Sequence, residues 1–471
     1  MTQNSTLKTL LDKAHAHAMA FLDTLPERRV AATAGYNAIV EALGGPVPDH
    51  ETDAVTVIDA LVREAERGVV AGAGPRYFGF VTGGSLPIAV AADWVATAWD
   101  QNAALQVMSP AASAIEEAAA RWVLDLLALP RTASVGFVTG AHTANVTALA
   151  AARHEVLRRV GWDVEAMGLH GAPRVTVVAG AEAHTSIGAA CRMIGLGAST
   201  IVRVEADDQG RMRSDRFERA LQTTSGPRIV CAQAGNVNTG ASDPFREIVA
   251  AAHEHGAWVH VDGAFGLWAA VAPSLSHQVA GVQGADSWTT DAHKWLNVPY
   301  DCGIVIVAHP AAHRAAMSQS ADYLIRAESE ERDGMDWVPE ASRRARGVPV
   351  YAVLRQLGRS GLAGLVERCC RVSRRMADRL REHDGVVILN DVVLNQILVR
   401  FEGADGTNLT PAVIAAVQKD GTCWCGGTSW EGQPAMRISV SNWRTTDSDA
   451  DRSAAAILRA AAQCRDEGRL V

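Results

Sequence analysis

The sequence predicts an α/β protein with a mostly parallel central sheet, preceded by a helical segment and followed by a small α+β domain. Three observations carry this. Between about residues 76 and 310, β-branched runs at Val135–Val138, Arg174–Val178, Thr200–Val204, Arg228–Cys231, Trp258–Val261 and Ile304–Ala308 are mostly separated by helical stretches. That alternation belongs to parallel strands joined by crossover helices and covered on both faces. Before it, Leu7, Leu11, Ala14, Ala18, Phe21 and Leu25 recur at helical spacing. After it, strands at Val386–Leu389, Gln396–Phe401 and Met436–Val440 interleave with helices at Glu367–Glu382 and Pro411–Gln418.

The expected division is therefore 1–75, 76–320 and 321–471. The first unit reads as helices over 7–24, 29–43 and 51–67 that end at the glycine-rich Gly68 to Gly74. It is too short for a core of its own and is expected to pack on a second subunit. In the third, Arg326 to Gly334 is charged and nearly free of apolar residues, which suits a solvated loop or a mobile lid.

Composition narrows the function classes. The 471 residues are 48% hydrophobic and 20% charged, as in a globular protein with large cores. A net charge of −8 argues against nucleic acid or an anionic membrane as partner. No run reaches the ~20 apolar residues of a membrane span, and the amphipathic N-terminus is not a secretion signal. The eight cysteines lack metal-site spacing, so no metal and a reduced, cytoplasmic setting are expected. His253/His255 and His15/His17, two apart on helices, diverge rather than converge on a metal.

Lysine usage is the sharpest compositional signal. Of 44 basic residues only Lys8, Lys13, Lys294 and Lys419 are lysines. Arginine can replace a surface charge but cannot form an imine. Lys294 lies in the apolar stretch Ser287 to Leu296 with tryptophans on either side, where desolvation favours a nucleophilic amine.

Three further motifs stand at strand ends. The run Trp258 to Asp262 ends on an acid, where open α/β sheets bind ligands. An acid there and a buried lysine are the two anchors that pyridoxal 5′-phosphate (PLP) needs: one for the pyridine nitrogen, one for the aldehyde carbon. Gly140-Ala-His-Thr143 turns from a strand into a helix, offering backbone N–H groups and a hydroxyl to a phosphate. His184 falls just beyond another strand, placed to stack on a flat ring.

Together these residues resemble the group II pyridoxal-dependent decarboxylases, the family of the aromatic amino acid, histidine and glutamate decarboxylases. The resemblance spans about residues 70 to 445. It is most specific at Asp262-Gly-Ala264 and His293-Lys-Trp-Leu296, with further matches at Arg76-Tyr-Phe-Gly79, Ser109-Pro-Ala111, Trp337, Ser342-Arg-Arg344, Met436-Arg-Ile-Ser439 and Asn442. It implies the aspartate-aminotransferase-like fold (fold type I) and a homodimer with active sites at the subunit interface. By it, Lys294 carries PLP, Asp262 pairs with the ring nitrogen, Ala264 packs under the ring and His184 stacks above it. His293 would sit near the phosphate or carry protons, and Gly140, Ala141, His142 and Thr143 would cradle the phosphate. Phe78 and Phe80, with Trp99, would line the substrate pocket. An alternative is that these aromatics are core or interface residues, and that Gln101, Asn102 and Gln106 read a polar substrate.

The chain departs from the family at two places that bear on chemistry. The phosphate turn reads Ala141-His-Thr143 where relatives often carry Gly-Ser-Glu. Arg332 to Asp336 lacks the tyrosine that aromatic amino acid decarboxylases place before the tryptophan matching Trp337, and Tyr323 matches a structural position instead. In the family that tyrosine is held to protonate the substrate carbon after carbon dioxide leaves. The expected activity is decarboxylation of an L-amino acid. Without the tyrosine, oxidative deamination to an aldehyde is the rival, followed by transamination and by PLP binding without turnover.

Overall fold

Seven strands form the central sheet of the computed structural model, which describes residues 3–319 and 332–468. They are β1 (Ser134–Val138), β2 (Thr176–Gly180), β3 (Ile201–Val204), β4 (Arg228–Gln233), β5 (Trp258–Asp262), β6 (Ser287–Asp291) and β7 (Gly303–Val307). Their order is β1-β7-β6-β5-β4-β2-β3. All pairs are parallel except those of β7, which runs antiparallel to both β1 and β6. Hence β1, β2, β4, β5 and β6 point their carboxyl ends to one side. The strands are buried along most of their length, as a sheet covered on both faces requires.

Six of the seven strands lie where the β-branched runs predict them. The exception is β6. Ser287-Trp-Thr-Thr-Asp291 is too polar to read as a core strand, yet every residue is buried. Its hydroxyls are bonded: Ser287 Oγ to Trp258 Nε1 and to His260 Nδ1, both at 2.9 Å, and Thr289 Oγ1 to Asn145 Oδ1 at 2.8 Å. Burial of these groups is tolerated because each has a partner.

A second, antiparallel sheet follows, ordered β10-β11-β9-β8, from β8 (Val386–Ile388), β9 (Gln396–Phe401), β10 (Gly426–Trp430) and β11 (Gln433–Ser439). The helix expected from Glu367 begins earlier, running Gly347–Arg381 with a break at Gly358, whose φ of 57° lies in the left-handed region. At the N-terminus, helices span Gln3–Thr24, Tyr36–Leu43 and Ala54–Ala65. Residues 29–35 form bends and coil, not helix, because Val30 N–H bonds to Gly421 O and the Arg29 guanidinium caps the carbonyls of Lys419 and Asp420. The last two of these helices bury no residue; Tyr36, Val40, Leu43, Val57 and Leu61 are exposed. Of the expected lid, residues 326–331 lie outside the described residues, as does Tyr323. No described helix is long and apolar enough to cross a membrane.

The backbone of β7 presses on the turn after β1. A Cβ at Gly303 would stand 2.5 Å from Gly140 Cα. Gly303→Ala is expected to destabilise the fold by about 1–3 kcal/mol, as overpacking does. Urea unfolding checks this, and an unchanged midpoint would show that the turn yields freely.

Candidate active site

The carboxyl ends of the parallel strands converge on one cavity of about 620 Å³, within the size range of small-molecule sites. Each strand end delivers residues: Gly140, Ala141 and His142 after β1, His184 after β2, Gln233 and Gly235 from β4, Asp262 and Ala264 from β5, and Asp291, His293 and Lys294 from β6.

Lys294 sits on a turn whose shape is held from several sides. Ala292 and His293 N–H groups bond to Cys302 O, while Trp295 and Leu296 are fully buried. Asn297, in the left-handed region at φ 56°, accepts from the N–H groups of Gly84 and Trp443, each at 2.9 Å. Its amide donates to Trp295 O and Ser441 O. Gly83 packs directly on the Lys294 carbonyl, leaving no room for a side chain there. The amine is not in the apolar sleeve that its sequence neighbours suggest. Lys294 Nζ lies 2.8 Å from Asp291 Oδ2, an ion pair with an acid only 3% exposed.

Asp262 is fixed with equal care. Its Oδ2 accepts from Asn145 Nδ2 at 3.1 Å and from Ser186 Oγ at 3.3 Å, and its Oδ1 accepts from Ala264 N–H at 3.2 Å. Behind it, Asn145 Oδ1 accepts from Thr289 Oγ1 and lies 2.9 Å from His260 Nε2. Burial pushes the His260 imidazole down to about 4, so it is neutral. With Nε2 donating to Asn145, Nδ1 accepts from Ser287, and every member of the chain is satisfied.

His184 caps the helix Thr185–Met193: its Nδ1 accepts from Ser186 N–H at 3.2 Å. The neutral ring therefore carries its proton on Nε2. Burial holds its pKa below the usual value, and Asp262 opposes that shift. In His293, Nδ1 accepts from Cys302 N–H at 3.2 Å and Nε2 lies 3.5 Å from Asp291 Oδ1. Burial lowers its pKa too, against the pull of Asp291. Its ring stacks on Tyr300 at 4.3 Å.

Several expected residues fall elsewhere. Thr143 is turned from the cavity, its hydroxyl 2.8 Å from that of Thr139. Phe78 is buried in the main core, and Trp99, half exposed, does not line the cavity. Phe80 does line it, 65% exposed and stacked on Trp424. Gln101 and Asn102 stand beside the 342–344 segment, and Gln106 N–H bonds to Asp333, all away from the cavity. His253 pairs with Asp286 and His255 with Ala251 O, so they diverge. Among the described residues no cluster of three or more His, Cys, Asp or Glu can hold a metal.

Sequence reasoning missed Asp291, Asn145 and His260, and it left Arg437 as an unassigned motif residue. Arg437 lines the cavity with one hydrogen bond, to Val237 O at 3.3 Å, and no acidic partner among the described residues. Burial alone lowers its pKa. A half-buried guanidinium without an acidic partner is suited to an incoming anion.

Residues 40–402 match the pyridoxal-dependent decarboxylase conserved domain. The chain belongs to this family. Relatives include L-2,4-diaminobutyrate decarboxylase of Rhizobium meliloti, 27% identical over 369 residues that cover 76% of this chain and 72% of the relative. Phenylacetaldehyde synthase of Arabidopsis thaliana is 24% identical, covering 83% of each chain. The crystal structure of Oryza sativa TDC with PLP and tryptamine superposes with a TM-score of 0.91 at 22% identity, covering 99% of both chains. The fold is that of the PLP-dependent decarboxylases, fold type I, and the cofactor of this family member is PLP. The site's donor set fits that group: a lysine amine, a buried carboxylate at a strand end, and the helix N-terminus at Ala141 line the same cavity. The reaction class is amino acid decarboxylation.

The His260 network gives a pH prediction. The usual histidine value is 6.5 and the folded value about 4, so between these the unfolded chain binds a proton that the folded chain refuses. Stability present above pH 6.5 falls as pH drops toward 4, by about 3 kcal/mol for this group. Unfolding free energies measured across this window are expected to lose about one proton of pH dependence in His260→Gln. The same slope in both proteins would contradict the assignment.

Proposed function

We propose that the enzyme removes the carboxylate of an L-amino acid as carbon dioxide and releases the amine, with Lys294 as the residue that carries PLP. The observation behind this reading is the single cavity that brings Lys294, Asp262 and the N-terminus at Ala141 together. Bound PLP supplies the sink for the electrons of the breaking Cα–carboxylate bond. Asp262, held by three hydrogen bonds, would pair with the ring nitrogen and hold its proton. Ala264 would pack under the ring and His184 would stack above it. Gly140, Ala141 and His142 would hold the phosphate at a helix N-terminus, with His293 beside it. Arg437 draws the substrate carboxylate into the cavity. His184 and His293, both lining the cavity, are the groups placed to relay a proton to the substrate carbon.

The exposed apolar faces of the N-terminal helices, and Phe80 open at the cavity edge, support a homodimer whose partner covers both. No disulfide joins the eight cysteines, seven of which are buried, which suits a cytoplasmic enzyme. A second reading, oxidative deamination to an aldehyde, is favoured by the absence of a tyrosine from Arg332 to Asp336.

One assay separates the two. Each proteinogenic L-amino acid is incubated with the PLP-loaded enzyme, and carbon dioxide, amine, peroxide and ammonia are measured. Equal carbon dioxide and amine without peroxide is expected for one substrate class. Peroxide equal to carbon dioxide would replace decarboxylation by aldehyde synthesis.

A further inference from the structure

Asp291 stands where two halves of the cofactor site meet, and it is an acid. One oxygen lies 2.8 Å from Lys294 Nζ; the other accepts the Ala141 N–H at 2.6 Å. Ala141 opens the 18-residue helix Ala141–Arg158, and Gly140 before it provides no side-chain cap. A carboxylate from the end of β6, 150 residues away in sequence, does the capping instead. The side chain is 3% exposed, and His293 Nε2 at 3.5 Å is its other cationic-capable neighbour.

Nothing in the packing demands a charge there, since an amide oxygen or hydroxyl would accept the same N–H. The charge matters when the cofactor arrives. Lys294 must give up its ion pair before its nitrogen bonds to carbon, which leaves Asp291 buried without that partner. A phosphate placed on the same helix N-terminus would meet a carboxylate already bound to the first N–H. Two anions compete for one positive dipole end.

We propose that Asp291 is an internal competitor for the phosphate of the cofactor: in the cofactor-free enzyme its carboxylate occupies the helix N-terminus and clamps Lys294, and loading displaces it from both. This rests on the reading that Gly140–His142 cradles the phosphate. The device stabilises the empty enzyme and weakens cofactor retention, so occupancy follows cofactor supply. Its ligand class is a phosphate monoester, with inorganic phosphate as the minimal probe.

The test uses the full-length chain freed of cofactor, as wild type, Asp291→Asn and Asp291→Ser. Equilibrium binding of PLP and of pyridoxal, which lacks the phosphate, is followed by absorbance, with inorganic phosphate as competitor. Both variants are expected to bind PLP at least about tenfold tighter and to be inhibited by correspondingly less phosphate, since a like charge has been removed. Pyridoxal affinity is expected to change by less than roughly threefold, the range of a single modest contact. Equal phosphate competition in wild type and variants would overturn the proposal while leaving the phosphate cradle standing. No competition by phosphate in any of them would remove the cradle and the proposal together. An equal gain for pyridoxal and PLP would assign the whole effect to the Lys294 ion pair and overturn the competition.

Discussion

The site depends on one carboxylate, Asp262, being held in place by hydrogen bonds at 5% exposure. A buried carboxylate loses several kcal/mol of hydration, which hydrogen bonds must replace. Here Asn145, Ser186 and the Ala264 N–H do so, and Asn145 is itself held by Thr289 and His260. Removing one donor from such a chain leaves its neighbours unsatisfied, so the network behaves as a unit.

That network explains features of the sheet that otherwise look arbitrary. Strand β6 carries serine and threonine in the core because β5 beside it presents His260, and the two strands share hydrogen bonds through Ser287. Helix Ala141–Arg158 packs over them so that Asn145 reaches Asp262 one turn after its N-terminus delivers Ala141 to the cavity. The antiparallel β7, returning beside β6, then places Cys302 against the Lys294 turn.

Much of this was legible in the sequence, for reasons that differ by residue. Asp262 and Lys294 could be found because each violates its local pattern: an acid closing an apolar strand, and a lysine in a chain that otherwise uses arginine. Six strands of the main sheet announced themselves by β-branched residues. Strand β6 did not, since its polarity is compensated only by partners 27 to 144 residues away. Asp291 and Arg437 were hidden for the same reason. An Asp three positions before a lysine, or an Arg in an antiparallel strand, signals nothing until tertiary structure shows what each faces. Phe78 misled in the opposite sense: two residues apart on an extended chain, Phe78 and Phe80 would share a face, but the backbone at Phe80 turns into the left-handed region at φ 54°, and Phe78 goes into the core while Phe80 opens on the cavity.

The central claim is that Lys294 carries the cofactor, and the chain's four lysines make it unusually open to direct measurement. Reduction of the PLP-loaded enzyme with borohydride fixes the cofactor as a stable secondary amine, and peptide mass mapping then locates it. The account predicts the added mass on the peptide that contains Lys294 and on none containing Lys8, Lys13 or Lys419. Modification of one of those three, with Lys294 unmodified, would contradict it.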